Sequence, residues 1–192
     1  MSTIAIPPSL PVPMPGSARM TAEAFAERYS SEYVELVNGI VKERSVPGLN
    51  HGLICANVTI SIGGFIQTQQ LGRIMSNDSF VKTGAETVRG PDVVYYSYER
   101  LPREQAVPTK LHEVAPDLVV EVKSPSELWG ELFSKIGEYL RVGIRVVVVL
   151  DPAKRTVSVY RGDDQAILQG DDVLTLPDVL PGFSVSVRRL FE

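Results

Sequence analysis

The chain has 192 residues, of which 44% are hydrophobic and 22% are charged. A chain of this length can bury a full core, so collagen-like, disordered and disulfide-dependent classes are excluded. The formal net charge of −4 also excludes a strongly basic chain that would bind any polyanion.

The chain begins with a proline-rich segment, with prolines at positions 7, 8, 11, 13 and 15. Proline fixes φ and lacks an N–H group, so this density excludes a helix and predicts an extended tail over residues 1–17. No internal repeat or change of composition divides the rest of the chain. We therefore predict a single domain over residues 18–192.

A short helix and a hairpin are predicted at the start of the domain. Thr21 can cap a helix that runs from Ala22 to about Ser30. Two apolar segments, residues 33–37 and 40–44, flank Asn38-Gly39, and this dipeptide is typical of a type I′ turn between antiparallel strands.

The middle of the chain has a helical pattern followed by strand patterns. Apolar residues keep helical spacing from His51 to about Gln70. Residues 73–83 indicate one or two short strands, and residues 92–97 indicate another. The polar segment 98–113 is long for a connection inside a compact domain, which favours a functional or mobile loop.

Strand, helix and strand follow one another after residue 116. Residues 117–123 alternate with period two, Ser124-Pro125-Ser126-Glu127 resembles a capping box, and residues 145–151 are a buried strand pattern. Such a βαβ unit joins two parallel strands. Three further strands, expected to be antiparallel, are predicted at residues 156–161, 166–169 and 183–187. The apolar stripe on the connecting helix is interpreted as core: Leu128, Trp129, Leu132, Phe133, Ile136, Tyr139 and Leu140.

These elements predict an α/β fold of mixed α+β character. Its mixed central sheet is flanked by helices, and an N-terminal helix and a β-hairpin precede it. Common nucleotide-binding and hydrolase signatures are missing from the sequence. Most familiar catalytic classes are therefore excluded.

His51 and Cys55 are four residues apart on the predicted second helix, so they could share one face. Zinc usually takes four protein ligands, or three and a water molecule, and His112 is the one other soft ligand in the sequence. The preferred interpretation is a histidine at the start of a helix and a buried thiol.

Asp92 and Glu121 form the set of residues with the clearest chemistry, together with Lys123. Alternate residues of a strand share a face, so Glu121 and Lys123 should point the same way. Two carboxylates on neighbouring strands repel each other unless a cation lies between them, and Mg²⁺ prefers such oxygen ligands. Lys123 could then orient the attacking water. The alternative is a structural salt bridge between a carboxylate and Lys123.

Longer segments resemble the PD-(D/E)XK nucleases, and in particular the Uma-type restriction endonucleases. The resemblance covers roughly residues 20–190 and implies a restriction-endonuclease-like core, a Mg²⁺ or Mn²⁺ ion and a DNA phosphodiester substrate. The matching segments are Tyr33 to Gly39, His51, Pro91 to Val94, Ala115 to Ser126, Lys135, Tyr139 with Gly143, and Leu150 to Pro152.

The resemblance assigns roles to individual residues. Asp92 and Glu121 become metal ligands, and Lys123 becomes the catalytic lysine. Glu35 is an additional acid, one residue further from Tyr33 than in the family pattern. Accessory roles fall to His51 and to Lys135, the lysine that would substitute for Lys123.

Charge and compartment bear on the choice of function. The single cysteine, Cys55, favours a reducing cytoplasm, and no signal peptide or apolar run of membrane-spanning length is present. Residues 73–110 carry no basic stripe, although phosphate neutralisation drives much DNA binding. The expected function is a metal-dependent DNA endonuclease acting as a homodimer. A catalytically inactive binding or assembly module and a hydrolase of a smaller phosphoester remain alternatives.

Overall fold

The computed structural model describes residues 19–30, 32–44, 46–76 and 79–192. The predicted tail over residues 1–17 lies outside the described residues, and the boundary at residue 18 stays a prediction. The described residues form four helices and twelve strands. In chain order these are α1 (Ala22–Tyr29), β1 (Val34–Val37), β2 (Ile40–Glu43), α2 (Leu49–Gln69), β3 (Gly72–Ser76), β4 (Val81–Gly84), β5 (Thr87–Arg89), β6 (Val93–Ser97), β7 (Leu118–Val122), α3 (Trp129–Arg141), β8 (Val146–Asp151), β9 (Thr156–Arg161), β10 (Asp164–Gln169), β11 (Val173–Leu176), β12 (Leu180–Ser186) and α4 (Val187–Leu190).

A six-stranded sheet in the order β10-β9-β8-β7-β6-β3 forms the centre of the fold. The pairing of β7 with β8 is parallel, and the other neighbouring strands in this sheet are antiparallel. The helix α3 connects the parallel pair, as a βαβ crossover requires. The predicted mixed α/β fold with a mixed central sheet is therefore confirmed.

Helices pack on both faces of this sheet. Side chains alternate along its strands, so neighbouring residues belong to opposite faces. Val120 and Val148 belong to the apolar cluster that contains the buried face of α2. Val119 and Val147 belong to the cluster that contains the buried face of α3. Glu121 shares the face of Val119, so its carboxylate points toward α3.

The N-terminal helix and hairpin pack beside this core. Thr21 caps α1, because its side-chain oxygen accepts a hydrogen bond from the Ala24 N–H at 3.3 Å. The turn between β1 and β2 has positive φ at Asn38 (50°) and Gly39 (76°), so the predicted type I′ conformation is confirmed. Both strands belong to a second sheet of order β2-β1-β5-β4.

The predicted start of α3 at Ser124 is wrong. The Glu127 N–H donates to the Ser124 carbonyl oxygen at 3.2 Å and closes a separate turn, and α3 begins at Trp129. The Glu127 carboxylate lies 3.0 Å from the Lys135 ammonium nitrogen, and this ion pair takes the place of the reciprocal cap. The interpretation of the whole apolar stripe as core is also wrong, since Leu128 and Phe133 are 68% and 51% exposed.

Several predicted boundaries differ from the structure. Residues 73–83 divide between β3 and β4, which belong to different sheets. The two short strands β5 and β11 carry too few residues to give a period in the sequence and were not predicted. Gly63 lies inside α2 at a close approach to β3. A Cβ atom at this position would lie 3.3 Å from the Ile74 side chain, so a residue without one fits.

The helix α2 is long and apolar enough to cross a membrane by length and composition alone. One such helix is weak evidence, since the core helix of a soluble protein passes the same test. In this fold the buried residues Ile54, Val58, Ile62 and Ile66 join the core cluster of the central sheet. The absence of a membrane segment stays a prediction.

Candidate metal centre

A cleft of about 520 Å³ lies where the hairpin, the start of α2, the central sheet and α3 meet. Its lining includes most of the predicted site residues, which come from β1, α2, β7, α3 and the residue before β6. The cleft thus brings together side chains that are far apart in sequence. Those residues are Glu35, His51, Asp92, Glu121 and Lys135.

Asp92 and Glu121 occupy adjacent positions on neighbouring strands. Val93 pairs with Val120 in the antiparallel register, and one step further along that register Asp92 faces Glu121. The Val122 N–H donates to Asp92 Oδ2 at 2.6 Å, and the Tyr139 hydroxyl donates to Glu121 Oε1 at 2.6 Å. Both carboxylates are buried, each is held by one of these hydrogen bonds, and the register places them at facing positions.

The surroundings of Glu121 favour its neutral form. Burial is the main cause that raises the pKa of Glu121, Lys135 opposes it, and the neighbouring Asp92 and Glu35 add to it, so that the pKa is about 8. Asp92 has a cation beside it, since Arg44 Nη2 lies 3.9 Å from Asp92 Oδ1. Two buried carboxylates at facing positions offer the oxygen ligands that a hard divalent cation such as Mg²⁺ or Mn²⁺ prefers.

Glu35 is in the opposite situation, because cations surround it. Arg89 donates to Glu35 Oε2 at 3.0 Å, and the Gly90 N–H donates to Oε1 at 3.2 Å. Nitrogen atoms of Arg44 and Lys135 lie 3.7 and 3.6 Å from Oε1. Burial opposes ionisation, but Lys135, Arg89 and Arg44 together lower the pKa of Glu35 below its usual value.

Arg89 and Glu138 complete the centre, and the sequence interpretation did not identify them. Arg89 makes two hydrogen bonds of 2.7 Å to the Glu138 carboxylate, in addition to its contact with Glu35. Such a bidentate, partly buried pair fixes the strand β5 to α3. Two signals pointed to these residues: an arginine three positions before Asp92, and a glutamate one helical turn after Lys135.

The two lysines differ in position. Lys135 lies inside the cleft, with its ammonium nitrogen 3.6 Å from Glu35 and 3.0 Å from Glu127. Lys123 does not line the cleft among the described residues. Its ammonium group donates to the Ser124 carbonyl oxygen at 3.1 Å and lies 5.7 Å from the centre of the Trp129 ring. The structure thus brings Lys135, rather than Lys123, to the carboxylates.

His51 lies between Asp92 and Cys55. Its Nε2 atom is 3.3 Å from Asp92 Oδ2, and its Nδ1 atom is 3.4 Å from Cys55 Sγ. Burial lowers the pKa of His51, but the contacts with Asp92 and Cys55 outweigh it and raise the pKa to about 10. Cys55 is partly buried, and His112 contacts the Arg100 carbonyl oxygen instead of joining this group.

A mixed sheet enclosed by helices, with an acidic pair and a lysine at a cleft on one side, defines a restriction-endonuclease-like α/β protein. The chain belongs to the Uma2 family, described as "putative restriction endonuclease", whose profile matches residues 22–188. The resemblance stated from the sequence is thereby confirmed.

A solved structure supports the same fold. The chain is similar to "a putative nuclease belonging to DUF820" from Anabaena variabilis, with a TM-score of 0.79 and 22% sequence identity. The match covers 90% of this chain and 97% of that one. At this identity the likeness shows the fold alone. No curated protein matches the chain.

Proposed function

We propose that this protein is a Mg²⁺- or Mn²⁺-dependent endonuclease that cleaves DNA phosphodiester bonds. The observation that carries the proposal is the buried Asp92–Glu121 pair, in which burial raises the pKa of Glu121 above its usual value. Structural carboxylates are normally matched by their partners, whereas catalytic ones are often left with a perturbed pKa.

Four residues of the centre have definable tasks in this reaction. Asp92 and Glu121 would hold the ion through their carboxylate oxygens. When bound, the ion polarises a phosphate oxygen and lowers the pKa of a water molecule. Lys135 presents an ammonium group to the same cleft, where it offsets charge that develops on the phosphate. Glu35 is a positioning residue, because it holds Lys135 and Arg89 in place.

A bound divalent ion would make the cleft more favourable to a polyanion. Among the described residues, the lining has seven carboxylates, four Lys or Arg side chains and His51. The raised pKa values of Glu121 and His51 reduce the negative excess at pH 7, and a divalent ion would reduce it further. Beside the cleft, Lys123 and Lys154 flank Trp129 at 5.7 and 5.8 Å from its ring centre, a combination that favours contact with nucleic acid.

The test is cleavage of supercoiled plasmid and of single-stranded oligonucleotides with Mg²⁺, Mn²⁺ or a chelator. We expect cleavage with either ion, and a loss of about 100-fold or more in Asp92→Asn, because the substitution removes one charged ligand. Asp171→Asn is the matched control, since that side chain is 83% exposed. Equal rates in wild type and Asp92→Asn would contradict the proposal.

Two alternatives predict other outcomes. Cleavage of a small phosphodiester or phosphomonoester without cleavage of DNA would identify a hydrolase of a smaller substrate. The acidic lining of the cleft favours the second alternative, an inactive binding module. Such a module would show no Mn²⁺ binding that depends on Glu121 in a calorimetric titration.

We also propose a homodimer that covers an exposed apolar stripe on α2. Leu49, Leu53 and Ile60 recur at helical spacing and are 96%, 45% and 72% exposed. A second copy of the chain would remove this surface from water. Light scattering should give about twice the mass of 21.0 kDa, and Ile60→Glu should give the monomer mass. A monomeric wild type at high concentration would rule out this dimer.

A further inference from the structure

A second group of ligand-type side chains lies against the proposed hard-ion pair. His51, Cys55 and Asp92 each offer one ligand atom, and these atoms all lie within 4.8 Å of one another. We propose that these three side chains form a binding site for a thiophilic divalent cation of the Zn²⁺ class, which shares Asp92 with the Asp92–Glu121 pair.

The chemistry of the donors selects the class of ion. A thiolate and an imidazole are the ligands that Zn²⁺ and Co²⁺ prefer, whereas Mg²⁺ takes oxygen ligands almost exclusively. Asp92 and Glu121 provide oxygen alone. The chain thus places a nitrogen–sulfur–oxygen set directly beside an all-oxygen set, with Asp92 common to both.

Two separate elements hold the three ligands in place. His51 and Cys55 are four residues apart on α2, so the helix presents them on one face. The Val122 N–H fixes Asp92 through a hydrogen bond of 2.6 Å to Oδ2. Ligand atoms around a tetrahedral Zn²⁺ are about 3 to 4 Å apart, so binding requires the His51 ring to turn until one nitrogen faces both Asp92 and Cys55.

An approach for the ion and a place for a fourth ligand are also present. A cavity of about 430 Å³ is lined by all three side chains. Three protein ligands and one water molecule complete a tetrahedral shell. The cavity therefore supplies the open position of an exchangeable site rather than the closed shell of a structural zinc.

Cobalt spectroscopy tests this site without any requirement for nuclease activity. The reduced, metal-free protein is titrated with Co²⁺ while the near-ultraviolet thiolate-to-cobalt charge-transfer band is recorded. Because Cys55 is the one cysteine of the chain, any such band must arise from Cys55. We expect a band that saturates at one equivalent and disappears when Zn²⁺ is added.

Variants separate this site from the proposed endonuclease centre. Cys55→Ser and Cys55→Ala should both abolish the band, and His51→Ala should weaken Co²⁺ binding by about 10- to 100-fold or more. Glu121→Gln should keep the band, because Glu121 belongs to the hard-ion pair alone. Circular dichroism verifies that each variant is folded.

The outcomes are distinguishable from those of the endonuclease proposal. A wild-type protein that cleaves DNA but gives no thiolate band refutes the Zn²⁺-class site and leaves the endonuclease intact. A band without DNA cleavage supports the site and removes the endonuclease. Co²⁺ binding that His51→Ala and Cys55→Ser leave unchanged would show that the carboxylates alone hold the ion, which overturns the inference.

Discussion

Replacement of Glu121 by Gln is expected to abolish divalent-ion-dependent DNA cleavage and, in the absence of metal, to stabilise the fold at high pH. The native pKa of Glu121 is about 8, against an ordinary value of 4.5. The folded state therefore binds the proton more tightly than the unfolded state, so the wild type loses stability as the pH rises from about 4.5 to about 8. Gln keeps an acceptor for the Tyr139 hydroxyl but carries no charge.

The size of the effect follows from the pKa difference. Each pKa unit corresponds to about 1.4 kcal/mol, so the free energy of unfolding should rise on the order of 5 kcal/mol at pH 9. At pH 5 the two proteins should be nearly equal, because the wild-type carboxyl is then neutral when folded. Urea unfolding in the presence of a chelator, at both pH values, measures the difference.

Tyr139→Phe is the matched control for this experiment. It removes the hydroxyl that donates to Glu121 at 2.6 Å but leaves the charge, so it should destabilise the protein at high pH. Addition of Mg²⁺ should stabilise the wild type and leave Glu121→Gln unaffected, since a ligand stabilises only the state that binds it. A Glu121→Gln protein that is less stable at pH 9 would identify Glu121 as a structural ion-pair partner.

Local sequence signals were sufficient for the elements that depend on neighbouring residues. The Asn38-Gly39 turn follows from the backbone conformations that these two residues tolerate. The parallel pairing of β7 and β8 follows from a strand, a helix and a strand in succession. Asp92 and Glu121 were likewise predictable as a pair, because each places a charge beside or within an apolar strand.

Contacts that depend on the packing of α3 were not predictable from local signals. Period two places Lys123 on the face of Glu121. It does not fix the position of the ammonium group at the end of the long lysine side chain. Lys135 reaches Glu35 because α3 packs its apolar face on the central sheet, and this placement is set by packing rather than by residue spacing. The capping box predicted at Ser124 and Glu127 does not form, because the Glu127 carboxylate pairs with Lys135 instead of with the helix terminus.

The second large effect concerns these two lysines. Lys135→Met should lower kcat for DNA cleavage by about 100- to 1,000-fold, because it removes a cation directed at the developing phosphate charge. Lys123→Met should lower kcat by less than about threefold and chiefly raise KM, since Lys123 lies beside Trp129 on the proposed nucleic-acid surface. Single-turnover and steady-state rates on the same oligonucleotide separate these quantities.

A purely structural role for Lys135 makes a different prediction, which Glu127→Gln isolates. Glu127 is the partner nearest to the Lys135 ammonium group at 3.0 Å, yet it is not assigned to the ion or the substrate. If Lys135 acts on the phosphate, Glu127→Gln should retain most of kcat while Lys135→Met loses it, even where both variants unfold at similar urea concentrations. Equal kcat losses in the two variants would mean that the ion pair, rather than the ammonium group in the cleft, is what the reaction requires. Lys123 would then be the remaining candidate for the catalytic lysine.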